Sequence, residues 1–289
     1  MSAALDAFSS WSRLLGQPAG RSLLSSLTIS VIEEAAQALA DDPHYPENDV
    51  VRAALSLVND SRPAALADVY RHQLSCVARE ARWRLGSIAS ERVIDVLGSQ
   101  WLEEVRDRPV LTIMPMQMCT SDAIRVVSEC FPGRQVIFFG EGVDASHYPW
   151  IEPAPLFASQ GMQGVKQIMD VLAHGGVFCT YPDFVYRGRG ALPYAMFGRP
   201  RSMASAMLSI AMKTRAVLLP AQCRLTVDQI SIEVDEPLAI DAGVKGAEGL
   251  RFLTDAVGGI LEQQISANPS AWLLLNSLVA ASPQMAQSK

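Results

Sequence analysis

The sequence predicts an α/β protein, a mostly parallel central sheet flanked by helices and preceded by a helical N-terminal region. Three observations carry this. After Pro109, short apolar runs alternate with amphipathic stretches, the texture of a buried parallel sheet with crossover helices. Before it, apolar residues recur at three- and four-residue spacing, and no short β-branched run interrupts them. Nearly half of the 289 residues are apolar, enough to bury one large core.

In chain order, helices are expected over 3–15, 21–40, 49–58 and 63–85, separated by Pro, Gly and Asp breaks. The strands follow over 110–116, 135–140, 176–181, 216–225 and 229–234. Between and after them, helices are expected over 121–130, 164–174, 202–213 and 248–266. Gly175 and Gly176 suit the end of the second of these, where a left-handed backbone is needed. The organisation expected is a helical region, 1–107, packed on an α/β core, 108–289, as one continuous body. There is no internal repeat, and the only low-complexity tract is a short polar tail after Pro283.

A net charge of −6 with four histidines argues against nucleic acid as a partner, because phosphate neutralisation needs a basic excess. The five cysteines, Cys76, Cys119, Cys130, Cys179 and Cys223, are odd in number and lack CxxC spacing, which suggests neither a metal site nor a disulfide framework. A reducing cytoplasm is expected. With no signal-peptide pattern and no apolar run near the roughly 18–20 residues that span a bilayer, contact with the inner membrane is expected to be peripheral at most.

Two segments carry the chemistry. The first runs Arg108-Pro-Val-Leu-Thr-Ile-Met-Pro-Met-Gln-Met-Cys-Thr-Ser-Asp122, from a strand through a loop into a helix. The second, 181–200, leaves the C-terminal end of a central strand, where open α/β sheets place their ligand crevice, and aims Asp183 at it. Arg187, Arg189, Arg199 and Arg201 lie in or just after that loop, with glycines that let the backbone approach a ligand. They form either a cradle for phosphate or pantetheine phosphate, or a solvated basic loop with a helix cap at Ser202.

From Pro109 to Trp272 the chain resembles the bacterial lipid A late acyltransferases, a branch of the lysophospholipid acyltransferase superfamily. The order of features carries the resemblance: Gln117 to Asp122 where the family has a histidine and an acid separated by four residues; Pro182-Asp183-Phe184; Arg187-Gly-Arg-Gly; Met196-Phe-Gly198; and Asn268-Pro-Ser-Ala-Trp272. The resemblance implies acyl transfer from a thioester, on acyl carrier protein or coenzyme A, to an amine or hydroxyl, with no bound cofactor. In the family the motif histidine activates the acceptor and the acid orients it. Here Gln117 stands in the histidine's place, and an amide cannot take a proton near neutral pH.

Three explanations stay open. The acceptor is an amine that loses its proton to solvent or to Asp122, with Gln117 only positioning it or donating to the oxyanion; Cys119 takes the acyl group covalently, which would also allow thioester hydrolysis; or catalysis is lost and the protein binds acyl carriers or lipids. Cys119 also reads as a small buried hydrophobe and Asp122 as a first-turn acid. His147 is a substitute base or an exposed loop residue, and His174 complements a helix C-terminus. His72, among Arg71, Arg79, Arg82 and Arg84, lies on a solvated basic face or a carrier-protein dock. Trp272 and Leu273 to Leu275 read as core. Lipid A enzymes have a membrane-anchoring helix, an arginine after the second strand and a His-Arg pair after the final tryptophan; here no anchor is apparent and Glu141 and Asn276-Ser277 stand in those places. The acceptor expected is therefore small and soluble, in a specialised-metabolite pathway.

Overall fold

A computed structural model describes residues 13–86, 95–139, 148–149, 151–159, 161–241 and 243–280. His147 and most of the helix expected over 3–15 lie outside them. The helical front end comprises α1 (Pro18–Ser25), α2 (Ile29–Asp41), α3 (Asn48–Leu57) and α4 (Ala65–Arg84). The single helix expected over 21–40 is two, bent by 106° at the break, with Thr28 capping the second by accepting from the Val31 amide. Among the described residues no single helix is long and apolar enough to cross a membrane; α1 and α2 reach that composition only as a bent pair.

The remaining elements are β1 (Asp95–Leu97), α5 (Ser99–Glu104), β2 (Val110–Ile113), α6 (Thr120–Cys130), β3 (Val136–Phe139), β4 (Leu156–Ala158), α7 (Met162–Ala173), β5 (Val177–Thr180), β6 (Ala191–Met196), β7 (Arg199–Ala204), α8 (Ser205–Thr214), β8 (Val217–Leu225), β9 (Ile230–Val234), α9 (Gly246–Ala267), a 3-10 turn (Pro269–Ala271) and α10 (Ser277–Ala280). Seven strands form one sheet in the order β1-β9-β8-β2-β5-β3-β4, parallel except for β8 against β9. This is the predicted mostly parallel sheet. Its centre, β2, pairs Val110 with Val177 on one side and Val217 on the other.

Strand periodicity divides the core in two. Leu111, Ile113, Phe178 and Leu218 face one cluster, shared with α2, α3, α4, α8 and α9. Val110, Val177, Cys179, Val217 and Leu219 face the other, under α6. α2, α3 and α4 share their apolar cluster with the sheet, so these helices and the sheet meet across a common core.

The region before Pro109 is not purely helical, because β1 completes the sheet edge beside β9. Gly98 permits this: its φ is +78°, and a Cβ there would meet the Val234 carbonyl at 2.0 Å. The stretch expected to be loop to Pro200 is also corrected. From Ala191 to Ala204 it is an antiparallel hairpin, turning at Phe197 and Gly198, both with positive φ as a two-residue hairpin turn requires. Tyr194, Met196, Arg201 and Met203 alternate into the core. The next helix therefore starts at Ser205, and Ser202 caps nothing; its hydroxyl donates to the Tyr186 carbonyl.

Candidate active site

At the C-terminal end of β2 the chain leaves the sheet through Met114 to Cys119 and enters α6. This segment is held from three sides. Asp183, after β5, accepts from the Met116 amide at 2.8 Å and from Trp272 Nε1 at 2.7 Å through the same oxygen, Oδ2. The Leu273 amide donates to the Met116 carbonyl at 2.9 Å. From the opposite side, α4 presents His72, Cys76, Arg79 and Trp83, a stripe at three- and four-residue spacing.

Gln117 is 1% exposed. Its Oε1 accepts from the Cys223 amide on β8 at 2.8 Å, which fixes the orientation of the side-chain amide. The amide nitrogen is buried and has no partner among the described residues. His72 Nε2 donates to the Gln117 main-chain carbonyl at 2.7 Å, so the ring's proton sits on Nε2 and its Nδ1 carries a lone pair.

Asp122, fully buried, faces α4 rather than Gln117. It takes Arg79 through Nε at 2.8 Å and Nη2 at 3.0 Å, Trp83 Nε1 at 2.7 Å and the Cys119 thiol at 3.2 Å. Arg79 also donates to the Val227 carbonyl. The expectation that Asp122 orients a group at position 117 is thus corrected: its oxygens serve a buried ion pair joining α4 to α6.

The structure does not favour the nucleophile reading of Cys119, whose thiol is buried and donates to Asp122. Burial, with the Asp122 charge adding to it, holds its thiol well above the ordinary pKa, so the reactive thiolate is suppressed. Asp183 is a strut rather than a crevice-facing acid. Burial raises its pKa, partly offset by its hydrogen bonds, and its Oδ1 has no partner among the described residues.

The four-arginine cradle does not assemble. Arg201 is buried, donates to the Asp183 carbonyl at 2.6 Å and to Ser277 Oγ at 3.0 Å, and lies over the Trp272 ring at 5.3 Å. Arg187 and Arg189 are exposed on the loop, and half-buried Arg199 opens β7. The basic face of α4 is corrected in the same way: His72 and Arg79 are buried, Arg71 pairs with Asp68, Arg82 with Asp228, and Arg84 with Glu80. His174 does end its helix, donating from Nδ1 to the Asp170 carbonyl. Trp272 is core as expected, but its ring N–H is also a support of the site.

Arg79, Trp83 and the partner of Gln117, Cys223, were not among the residues expected at the site. The 72-76-79-83 spacing on α4 is the signal that could have found the first two, since polar residues at core spacing need buried partners.

Residues 157–279 match the model of the bacterial lipid A biosynthesis acyltransferase family. No curated protein sequence matches the chain. Among solved structures, the 1-acyl-sn-glycerophosphate (LPA) acyltransferase PlsC from Thermotoga maritima is similar at 14% identity and a TM-score of 0.43, over 83% of this chain and 97% of that one. The family match spans Asp183, the β6–β7 hairpin and Trp272 and leaves out Gln117 to Asp122. That match covers less than half of the chain, which over those residues is similar to the bacterial lipid A biosynthesis acyltransferases.

Proposed function

We propose that this protein is an acyltransferase that moves an acyl or aminoacyl group from a carrier-protein or coenzyme A thioester to a small amine or hydroxyl, with Gln117 polarising the thioester carbonyl in place of a histidine base. One observation carries the reading: Oε1 of Gln117 is locked by the Cys223 amide while its NH2 has no partner among the described residues. A buried donor left unsatisfied in the resting protein costs about 1–3 kcal/mol. An oxygen that gains negative charge during acyl transfer is the acceptor that would relieve it.

The exposed Arg187 and Arg189 suit the phosphate of a phosphopantetheine arm, a charge-assisted contact on a glycine-bearing loop. A soluble cytoplasmic setting, at most peripheral to a membrane, and a role in specialised metabolism accompany this reading.

The test is intact-mass spectrometry of acyl-carrier and coenzyme A thioesters incubated with the protein, with and without a panel of amines and alcohols. Acceptor-dependent loss of acyl groups is expected, and Gln117→Ala should slow it by about 100-fold, the scale of losing one oxyanion donor. Thioesters that stay intact with every acceptor would refute the donor and acceptor assignment. Unaltered turnover in Gln117→Ala would refute the role of the amide.

A further inference from the structure

Resting on that reading, we infer that His72 is the proton acceptor for the incoming nucleophile and that the cavity it lines is the acceptor subsite. The cavity, about 300 Å³, lies between α2, α4, the β8–β9 turn and the 3-10 turn. Ile29 and Ile32 form an apolar wall, Ser75, Asn268 and Ser270 supply polar atoms, and His72 contributes its ring. His72 is more than nine-tenths buried.

Its two nitrogens have different fates. Nε2 is committed to the Gln117 carbonyl, which fixes ring and tautomer, as an orienting partner does for a catalytic histidine. Nδ1 has no hydrogen-bond partner among the described residues and keeps its lone pair. Burial also depresses the ring's pKa to about 4, so the imidazole is neutral at physiological pH.

Both oxygens of Asp122 are engaged by donors and the Gln117 amide is not a base, whereas His72 has a basic nitrogen and donates to the Gln117 main-chain carbonyl. At about 300 Å³ the cavity is at the lower end of ligand pockets, a fit for a small acceptor and not for a glycolipid. Asp68, at its edge, is engaged by Arg62 and Arg71, while Glu33 presents an exposed carboxylate to which a second, cationic group of the acceptor could pair.

The step balances without another reactant. The acceptor's nitrogen or oxygen attacks the thioester carbonyl carbon as His72 Nδ1 takes its proton. The new C–N or C–O bond persists, the C–S bond breaks, and the departing thiolate recovers the proton from the imidazolium. His72 returns to its neutral form.

The diagnostic variant is His72→Gln, whose side-chain amide can still donate to the Gln117 carbonyl but has no basic nitrogen. It should keep the unfolding midpoint near that of the parent and bind acyl-carrier thioester unchanged. It should transfer to acceptors about 100-fold or more slowly, the scale of general-base loss. Transfer at the parental rate by folded His72→Gln overturns the inference. A second readout does not depend on turnover: diethyl pyrocarbonate should carbethoxylate His72 in the intact protein, and Ser75→Trp, which fills the cavity, should protect it. If no thioester in the panel is consumed, the donor and acceptor assignment fails alone. Labelling then decides the site: cavity-dependent modification upholds it, and an unmodified His72 beside fully modified His174 overturns it.

Discussion

Asp122→Asn should unfold this protein far more readily than it alters any acyl-transfer step. Asp122 has no exposed surface, Arg79 is 1% exposed, and two of the four donors on the carboxylate come from that guanidinium. The variant keeps the shape but turns one acceptor into an NH2 group facing an N–H, and strands a buried cation. Breaking a buried ion pair from one side costs about 3–5 kcal/mol. At roughly 2 °C per kcal/mol for a chain this large, the unfolding midpoint should fall by about 6–10 °C. Calorimetry of the parent, Asp122→Asn, Arg79→Met and the double Arg79→Met/Asp122→Leu chain tests this. The double variant should regain most of the loss, because neither charge is then stranded. A single Asp122→Asn chain that melts within roughly 2 °C of the parent and has lost transfer would refute the strut and return Asp122 to the chemistry.

His72 sets a pH dependence with a definite sign. Its pKa falls from 6.5 in the unfolded chain to about 4 when folded, so the unfolded chain binds the proton first and stability drops as pH falls through this window. About 2 kcal/mol should be lost between pH 7 and pH 5, and urea titrations of His72→Gln against the parent should show that component gone. Cys119, held as a thiol, should resist iodoacetamide in the native protein and react only after denaturation, read by peptide mass spectrometry; rapid native labelling would contradict its assignment. Trp272→Phe removes one of the two donors on Asp183 Oδ2 and should cost about 1–3 kcal/mol in urea unfolding. An unchanged midpoint would show that the Met114–Cys119 segment is held without it.

The sequence by itself determined the layered α/β class and the central strands, because β2, β5 and β8 are short runs buried on both faces, and hydrophobic period reports burial directly. The same holds for α6, α7 and α9, found within about two residues of their expected ends. Short edge strands escaped: β1 and β4 have three residues each, too few to establish a period. The β6–β7 hairpin escaped because its turn at Phe197-Gly198 requires a positive φ at a phenylalanine, for which residue preference gives no warning.

The site was half legible. Chain order located Gln117, Asp122 and Asp183, but the character of each depends on partners 43, 67 or 106 positions away: Arg79 for Asp122, Met116 for Asp183, Cys223 for Gln117. Helical spacing put His72, Cys76, Arg79 and Trp83 on one stripe of α4; only tertiary packing turned that stripe inward against the Met114–Cys119 segment and α6. A polar side chain's role is set by what neutralises or hydrogen-bonds it, and those partners come from distant segments. The same four residues on a wetted helix would be a solvated face; here two of them clamp Asp122, and His72 lines a cavity.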